Sequence, residues 1–271
     1  MRIVREPPYD DEPRSFAETV RRSVVHLFAS WGHCVLLMLE SVLRFPAAAL
    51  RADGRLAFVR QLYTVGIKTL PVITVVALFT GMILGLQVGL ELRRFNQEVY
   101  VGAAVMVTLI REMGPFVTGV CLSSCVGSAI AAELGTMKVN DEVAALEIMS
   151  ISPVRFLTTP RICALVTMSP ILAFYTCVVG VIGGGLVSYT QLNVQFSQYM
   201  TSAMLIAETK DLFTGLLKSI VFGFVIGGVS CHEGFATEMG AVGVGRAVQR
   251  SVIISFLLIL TLGYMVTRMF Y

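Results

Sequence analysis

Residues 69–90 read TLPVITVVALFTGMILGLQVGL, a run without a single charge. A bilayer core is crossed by about 20 apolar residues in a helix, so this stretch is long enough to span one. Similar runs cover residues 162–192 and 251–267. Of 271 residues, 55% are hydrophobic and only 14% charged, too little polar surface to cover a soluble globule of this size. The sequence therefore predicts an all-α integral membrane protein with about five transmembrane helices. Residues 1–60, rich in Arg and acids, lack the layout of a cleaved signal peptide, so the mature helices direct insertion.

The first span is expected over 62–90, kinked at Pro71, because proline removes a backbone donor and crowds the preceding turn. Gly81, Gly85 and Gly89 recur at spacing four and make a flat face for close helix packing. Phe79, Ile83, Leu86 and Leu90 share the opposite face.

Residues 99–132 are apolar except for Arg111 and Glu112, which Gly114 and Pro115 closely follow. At about 1.5 Å per residue such a helix reaches about 50 Å, longer than one crossing requires. Two solutions fit: one long bent helix, or two half-helices meeting at Gly114 and Pro115. Further spans are expected over 162–189, 212–230 and 252–269.

Ahead of them, residues 1–14 read as a disordered lead-in and residues 15–50 as an amphipathic interfacial helix. Lys and Arg concentrate in 1–60, 133–161 and 231–250, whereas the opposite loops and tail hold only Arg93, Arg94, Lys210 and Arg268. The positive-inside rule then places the amino terminus in the cytoplasm.

A charge within hydrocarbon costs several kcal/mol, so it faces protein, water or a ligand. Arg111 and Glu112 are neighbours about 100° apart on a helix and cannot pair with each other as residues three or four apart can. Their partners are either groups such as Lys218 and carbonyls freed by Pro115, or a head group arriving from outside.

The loop from Glu133 to Pro153 contains a second candidate site. Asn140 is a suitable N-cap, Asp141 and Glu142 suit the first turn, and a short helix over 141–149 follows. Val143, Leu146 and Met149 form its apolar side, and Glu142 and Glu147 its polar side. Such a plug suits a cytoplasmic protein partner.

No Gly-x-x-x-x-Gly-Lys-[Ser/Thr] loop, His-Glu-x-x-His pair or nucleophile motif occurs, and the six cysteines form no Cys-x-x-Cys pair. The sequence offers no basis for an enzyme, a metal site, a cofactor or a nucleic-acid partner.

Arg111-Glu-Met-Gly-Pro115, Val126-Gly-Ser-Ala-Ile-Ala-Ala-Glu-Leu-Gly-Thr-Met-Lys138, Ala145-Leu-Glu-Ile-Met149, Pro153-Val-Arg-Phe-Leu157, Asp211-Leu-Phe-Thr-Gly-Leu-Leu-Lys-Ser219 and Val242-Gly-Val-Gly-Arg-Ala247 together resemble the MlaE (YrbE) permease family. The likeness covers residues 55–271, which it identifies as one permease domain. It implies the inner-membrane subunit of an ABC transporter of phospholipid, working as a homodimer. A separate cytoplasmic ATPase would drive it, and an MCE-type lipid-binding protein would sit on the outer side.

By the same resemblance, residues 141–149 are the coupling helix that seats in the ATPase. Arg111 and Glu112 would stand near a lipid cavity walled by Phe79, Ile83, Leu86 and Leu90. Two positions depart from the family pattern, with Cys125 where Arg is usual and Gly263 where an acid is usual. The competing reading is a self-contained secondary transporter using Arg111, Glu112 and Lys218 as an ion relay; a membrane scaffold without a transport path is a third.

Overall fold

The computed structural model describes residues 52–271 apart from Ala207 and Met239. The expected lead-in and interfacial helix lie outside the described residues. Five helical segments are long and apolar enough to cross a membrane: Arg55–Arg94, Glu98–Val139, Phe156–Leu192, Thr209–Phe235 and Ala241–Phe270. The described residues thus form the all-α bundle expected from the apolar runs.

In place of a kink at Pro71, the first segment contains a break. Helix α1 (Ala52–Gly66) ends in a turn, and α2 (Leu70–Arg94) begins with Pro71 in its first turn. There the missing N–H is harmless, since the first amides of any helix lack an intrahelical acceptor. Thr69 Oγ1 lies 2.6 Å from the Val65 carbonyl and 3.1 Å from that of Gly66, covering polar groups at the end of α1.

The glycine face of α2 packs on α7 (Thr159–Leu192), which contains a glycine run of its own. A Cβ at Gly81 would stand 1.9 Å from the Gly180 carbonyl oxygen, and one at Gly85 2.8 Å from Gly184 Cα. Only glycine permits this approach, so the spacing-four pattern serves helix packing. Phe79, Ile83, Leu86 and Leu90 point away from the seam and are exposed on the single chain.

The second segment is one long helix rather than two halves. It runs through α3 (Val101–Thr108), a π-turn at Leu109–Met113, α4 (Gly114–Leu122), a second π-turn at Ser123–Gly127, and α5 (Ser128–Val139). At the first π-turn the Gly114 N–H skips a residue and bonds to the Leu109 carbonyl. Pro115 offers no N–H to the carbonyl one turn back, at Arg111. The helix thus continues without a break, and the Arg111 carbonyl is left to accept from another donor.

A short helix, α6 (Glu142–Ile148), connects α5 to α7. The stretch after α7 contains a further helix that the apolar pattern did not disclose, α8 (Phe196–Ile206). Its anchor is Tyr199, fully buried, whose hydroxyl donates to the Val181 carbonyl at 3.2 Å. Burial pushes that phenol well above its usual range and keeps it a donor.

Helix α9 (Thr209–Phe235) runs through the middle of the bundle, and α10 (Ala241–Phe270) follows a turn at Gly240, whose φ of +90° suits glycine. The buried side of α10 is a stripe at spacing four: Gly243, Ala247, Ser251, Ser255, Ile259 and Gly263. Its other side, including Leu257, Leu260 and Tyr264, is exposed. The main core joins Ile73, Leu122, Ile162, Leu165, Leu172, Phe222, Ile226 and Ile259.

Candidate functional site

Arg111 and Glu112 lie in the first π-turn, and α9 passes it at backbone distance. A Cβ at Gly215 would fall 2.2 Å from the Ile110 carbonyl oxygen, so a side chain there would hold the helices apart. Asp211 and Lys218, seven residues apart on α9, share one face after two turns. This face meets the adjacent Arg111 and Glu112 and sorts them into two pairs of opposite sense.

The Arg111 Nη2 donates to Asp211 Oδ2 at 3.0 Å, while its Nε lies 2.8 Å from Oδ1, within ion-pair reach but without hydrogen-bond geometry. Lys218 Nζ is 2.6 Å from Glu112 Oε1, 2.8 Å from the Arg111 carbonyl and 2.7 Å from Thr267 Oγ1. An ammonium has three donors, and these three acceptors can engage them all. Thr267 in turn donates to Glu112 Oε1 at 2.6 Å. The hydroxyl of Tyr271 donates to Asp211, and its ring centroid lies 4.5 Å from Arg111 Cζ.

Of the partners expected for Arg111 and Glu112, Lys218 is present on Glu112, whereas the carbonyl beside Pro115 serves Lys218 and Arg111 pairs with Asp211 instead. Asp211, Thr267 and Tyr271 escaped the sequence reading. The seven-residue spacing of Asp211 and Lys218, which puts both on one face of the helix, was the available signal for the first of these.

The pairs share an asymmetry. The Asp211 and Lys218 side chains are each 1% exposed, whereas those of Arg111 and Glu112 are 34% and 41% exposed. Each pair therefore has one sealed charge from α9 and one charge open at the bundle's edge. Chemically this edge offers a cation and an anion side by side, already oriented.

At the other end of the long helix, α6 differs from its expected form. Asn140 terminates α5, its N–H bonded to the Thr136 carbonyl, while Asp141 takes the N-cap position with φ of +59°. The helix stops at Ile148. Val143 is buried and Leu146 half-buried against the core, so these two fix α6 to its own bundle rather than facing outward. The outward apolar group is Ile148 with Met149 and Ile151, alongside exposed Asp141, Glu142 and Glu147. A seven-residue helix following a tight turn must rest one side on the helix it leaves, which takes Val143 and Leu146 inward. Below it, Arg161 Nη2 pairs with Glu133 Oε2 at 2.9 Å and fastens α7 to α5.

Cys125 is exposed within the second π-turn. Gly263 is buried on α10, where a Cβ would stand 3.2 Å from Phe222 Cζ.

The profile of the family described as Permease MlaE matches residues 58–269, most of the chain. The chain belongs to the MlaE permease family. Among similar proteins, a probable ABC transporter permease protein of Rickettsia typhi is 39% identical over 212 residues, covering 78% of this chain and 82% of the relative. A probable ABC transporter permease protein of Synechocystis is 33% identical over 199 residues, covering 73% and 76%. The intermembrane phospholipid transport system permease protein MlaE of Haemophilus influenzae is 27% identical over 258 residues, covering 95% and 98%. As a member of the MlaE family the chain is a multi-pass ABC permease subunit, and the charged cluster lies inside the matched region.

Proposed function

We propose that this MlaE-family permease moves phospholipid or a related lipid between membranes, driven by a separate cytoplasmic ATPase. The observation that carries the proposal is the half-open pair of ion pairs set in an otherwise apolar bundle. A two-tailed lipid needs an apolar wall for its tails and a few oriented charges for its head group. Phe79, Ile83, Leu86 and Leu90 supply such a wall on the exposed face of α2, and Arg111 and Glu112 supply the charges. The likeness to the Haemophilus phospholipid permease supports the same substrate class.

A second copy of the chain completes the cavity, because the exposed apolar faces of α2 and α10 are walls that a single chain leaves open. The α6 segment seats in the ATPase, with Glu142, Glu147, Ile148 and Met149 as the contacting residues. Asp141 sets its start, and Val143 and Leu146 hold it to the bundle. The Lys- and Arg-rich end of the bundle then faces the cytoplasm, with the amino terminus inside. An MCE-type lipid-binding protein covers the opposite end, and the complex sits in the inner membrane.

The relay reading is less well supported, because the family match and the relatives are ABC permeases rather than self-contained transporters. Purification of the chain with its membrane partners separates the two readings. A lipid permease brings an ATPase through detergent and loses it in Ile148→Asp. A self-contained transporter carries its substrate with no ATPase attached.

A further inference from the structure

The buried stripe of α10 advances four residues at a time from Gly243 to Gly263, and the same step continues through half-buried Thr267 to exposed Tyr271, the residue after the helix. Its earlier members are small or apolar residues, suited to close contact. Its last two are hydrogen-bonding residues, and each engages a different ion pair. Thr267 contacts Glu112 and Lys218, and Tyr271 contacts Asp211 and Arg111.

Tyr271 uses two chemically distinct parts of its side chain on groups from two different helices. The hydroxyl donates to a carboxylate of α9, while the ring face lies 4.5 Å from the guanidinium carbon of Arg111 on the long helix. A guanidinium is planar and stacks on an aromatic face while its edge holds a carboxylate. Lys210 Nζ also lies 4.8 Å from the same ring. Arg111 is thus held in its plane by Asp211 and on one face by Tyr271.

We infer that Tyr271 is a positioning residue that holds the Arg111 guanidinium on Asp211 and fastens the end of α10 to the other two helices. With the latch closed, the cation at the bundle's edge keeps one orientation. With it open, Arg111 is free to turn toward an anionic group outside, and the last turns of α10 lose a point of attachment. The latch stands on the geometry alone; only its bearing on lipid rests on the function proposed above.

Hydrogen exchange of the full chain in lipid nanodiscs tests it. In Tyr271→Ala, amides of residues 264–270 exchange about fivefold or more faster than in the unaltered protein, while those of α2 keep their rates. Tyr271→Phe retains the ring, loses the donor and gives a smaller acceleration. That acceleration disappears when Asp211→Ala is already present, because the hydroxyl then has no carboxylate on α9 to donate to. Unchanged exchange in Tyr271→Ala, or a Tyr271→Phe effect of the same size with and without Asp211→Ala, overturns the inference. If exchange responds as expected but lipid transfer by the ATPase-bound complex is the same in Tyr271→Phe, the latch stands and its link to lipid is what fails.

Discussion

The seam between α2 and α7 and the seam joining the long helix to α9 and α10 solve the same problem by opposite means. In the first, bare backbone meets bare backbone at Gly81 and Gly180 and at Gly85 and Gly184. In the second, an Arg, a Glu, an Asp and a Lys are brought together with Thr267 and Tyr271. The glycine seam has nothing to exchange with water or ligand, so it behaves as a fixed part of the scaffold. The charged seam is internally matched, yet half of each pair is open, so its partners can be exchanged.

The contrast breaks most severely in Gly81→Leu. A leucine has no room where even a Cβ would lie 1.9 Å from the Gly180 oxygen. The two helices must separate, with an expected loss of about 5 kcal/mol or more. Size-exclusion chromatography in mild detergent will show aggregated protein in place of a single peak.

Next in size is Lys218→Met, which leaves Glu112 and the Arg111 carbonyl without their buried partner. Because the charge left behind is half-exposed, the loss is that of the hydrogen bonds to the ammonium, about 1.5–3 kcal/mol, read as a lower midpoint in denaturing-detergent titration. Adding Glu112→Gln recovers part of the loss if the pair is what Lys218 serves; no recovery would assign Lys218 a different structural role.

A smaller change sharpens the same seam. Arg111→Lys keeps the charge and loses the planar guanidinium that donates to Asp211 and lies over the Tyr271 ring, for an expected loss of about 1–2 kcal/mol in the same titration. The smallest effect on stability belongs to a residue outside both seams. Ile148→Asp changes an exposed side chain and leaves the midpoint within about 0.5 kcal/mol, while abolishing ATPase co-purification.

Much of this arrangement was legible in the sequence, and the exceptions share a physical origin. The five spans are visible because hydrocarbon demands long uncharged runs, and Gly81, Gly85 and Gly89 reveal a packing face because few other causes produce that spacing. Arg111 and Glu112 were conspicuous because charge is rare in such runs. The identity of their partners was only half visible: Lys218 is inside a span, but Asp211, Thr267 and Tyr271 sit near span ends, where polar residues are ordinary.

Pro71 shows the complementary limit. A proline marks either a kink or a helix start, and what distinguishes them here is the Thr69 hydroxyl on the Val65 carbonyl, a contact that local pattern does not encode. The outward face of α6 was likewise misassigned to Val143 and Leu146. Both sides of this short helix carry apolar residues, and its tilt against α5 decides which side is covered.

The most direct test of the account is ATP-dependent transfer of a labelled phospholipid between vesicles by the permease reconstituted with the proposed ATPase and outer lipid-binding protein. The account predicts that the unaltered complex transfers lipid. Arg111→Ala and Glu112→Ala, each shown to be folded and bound to the ATPase, should transfer it about tenfold or more slowly, a barrier change of about 1.4 kcal/mol or more. Transfer at the unaltered rate by both variants would contradict the role given to the charged seam.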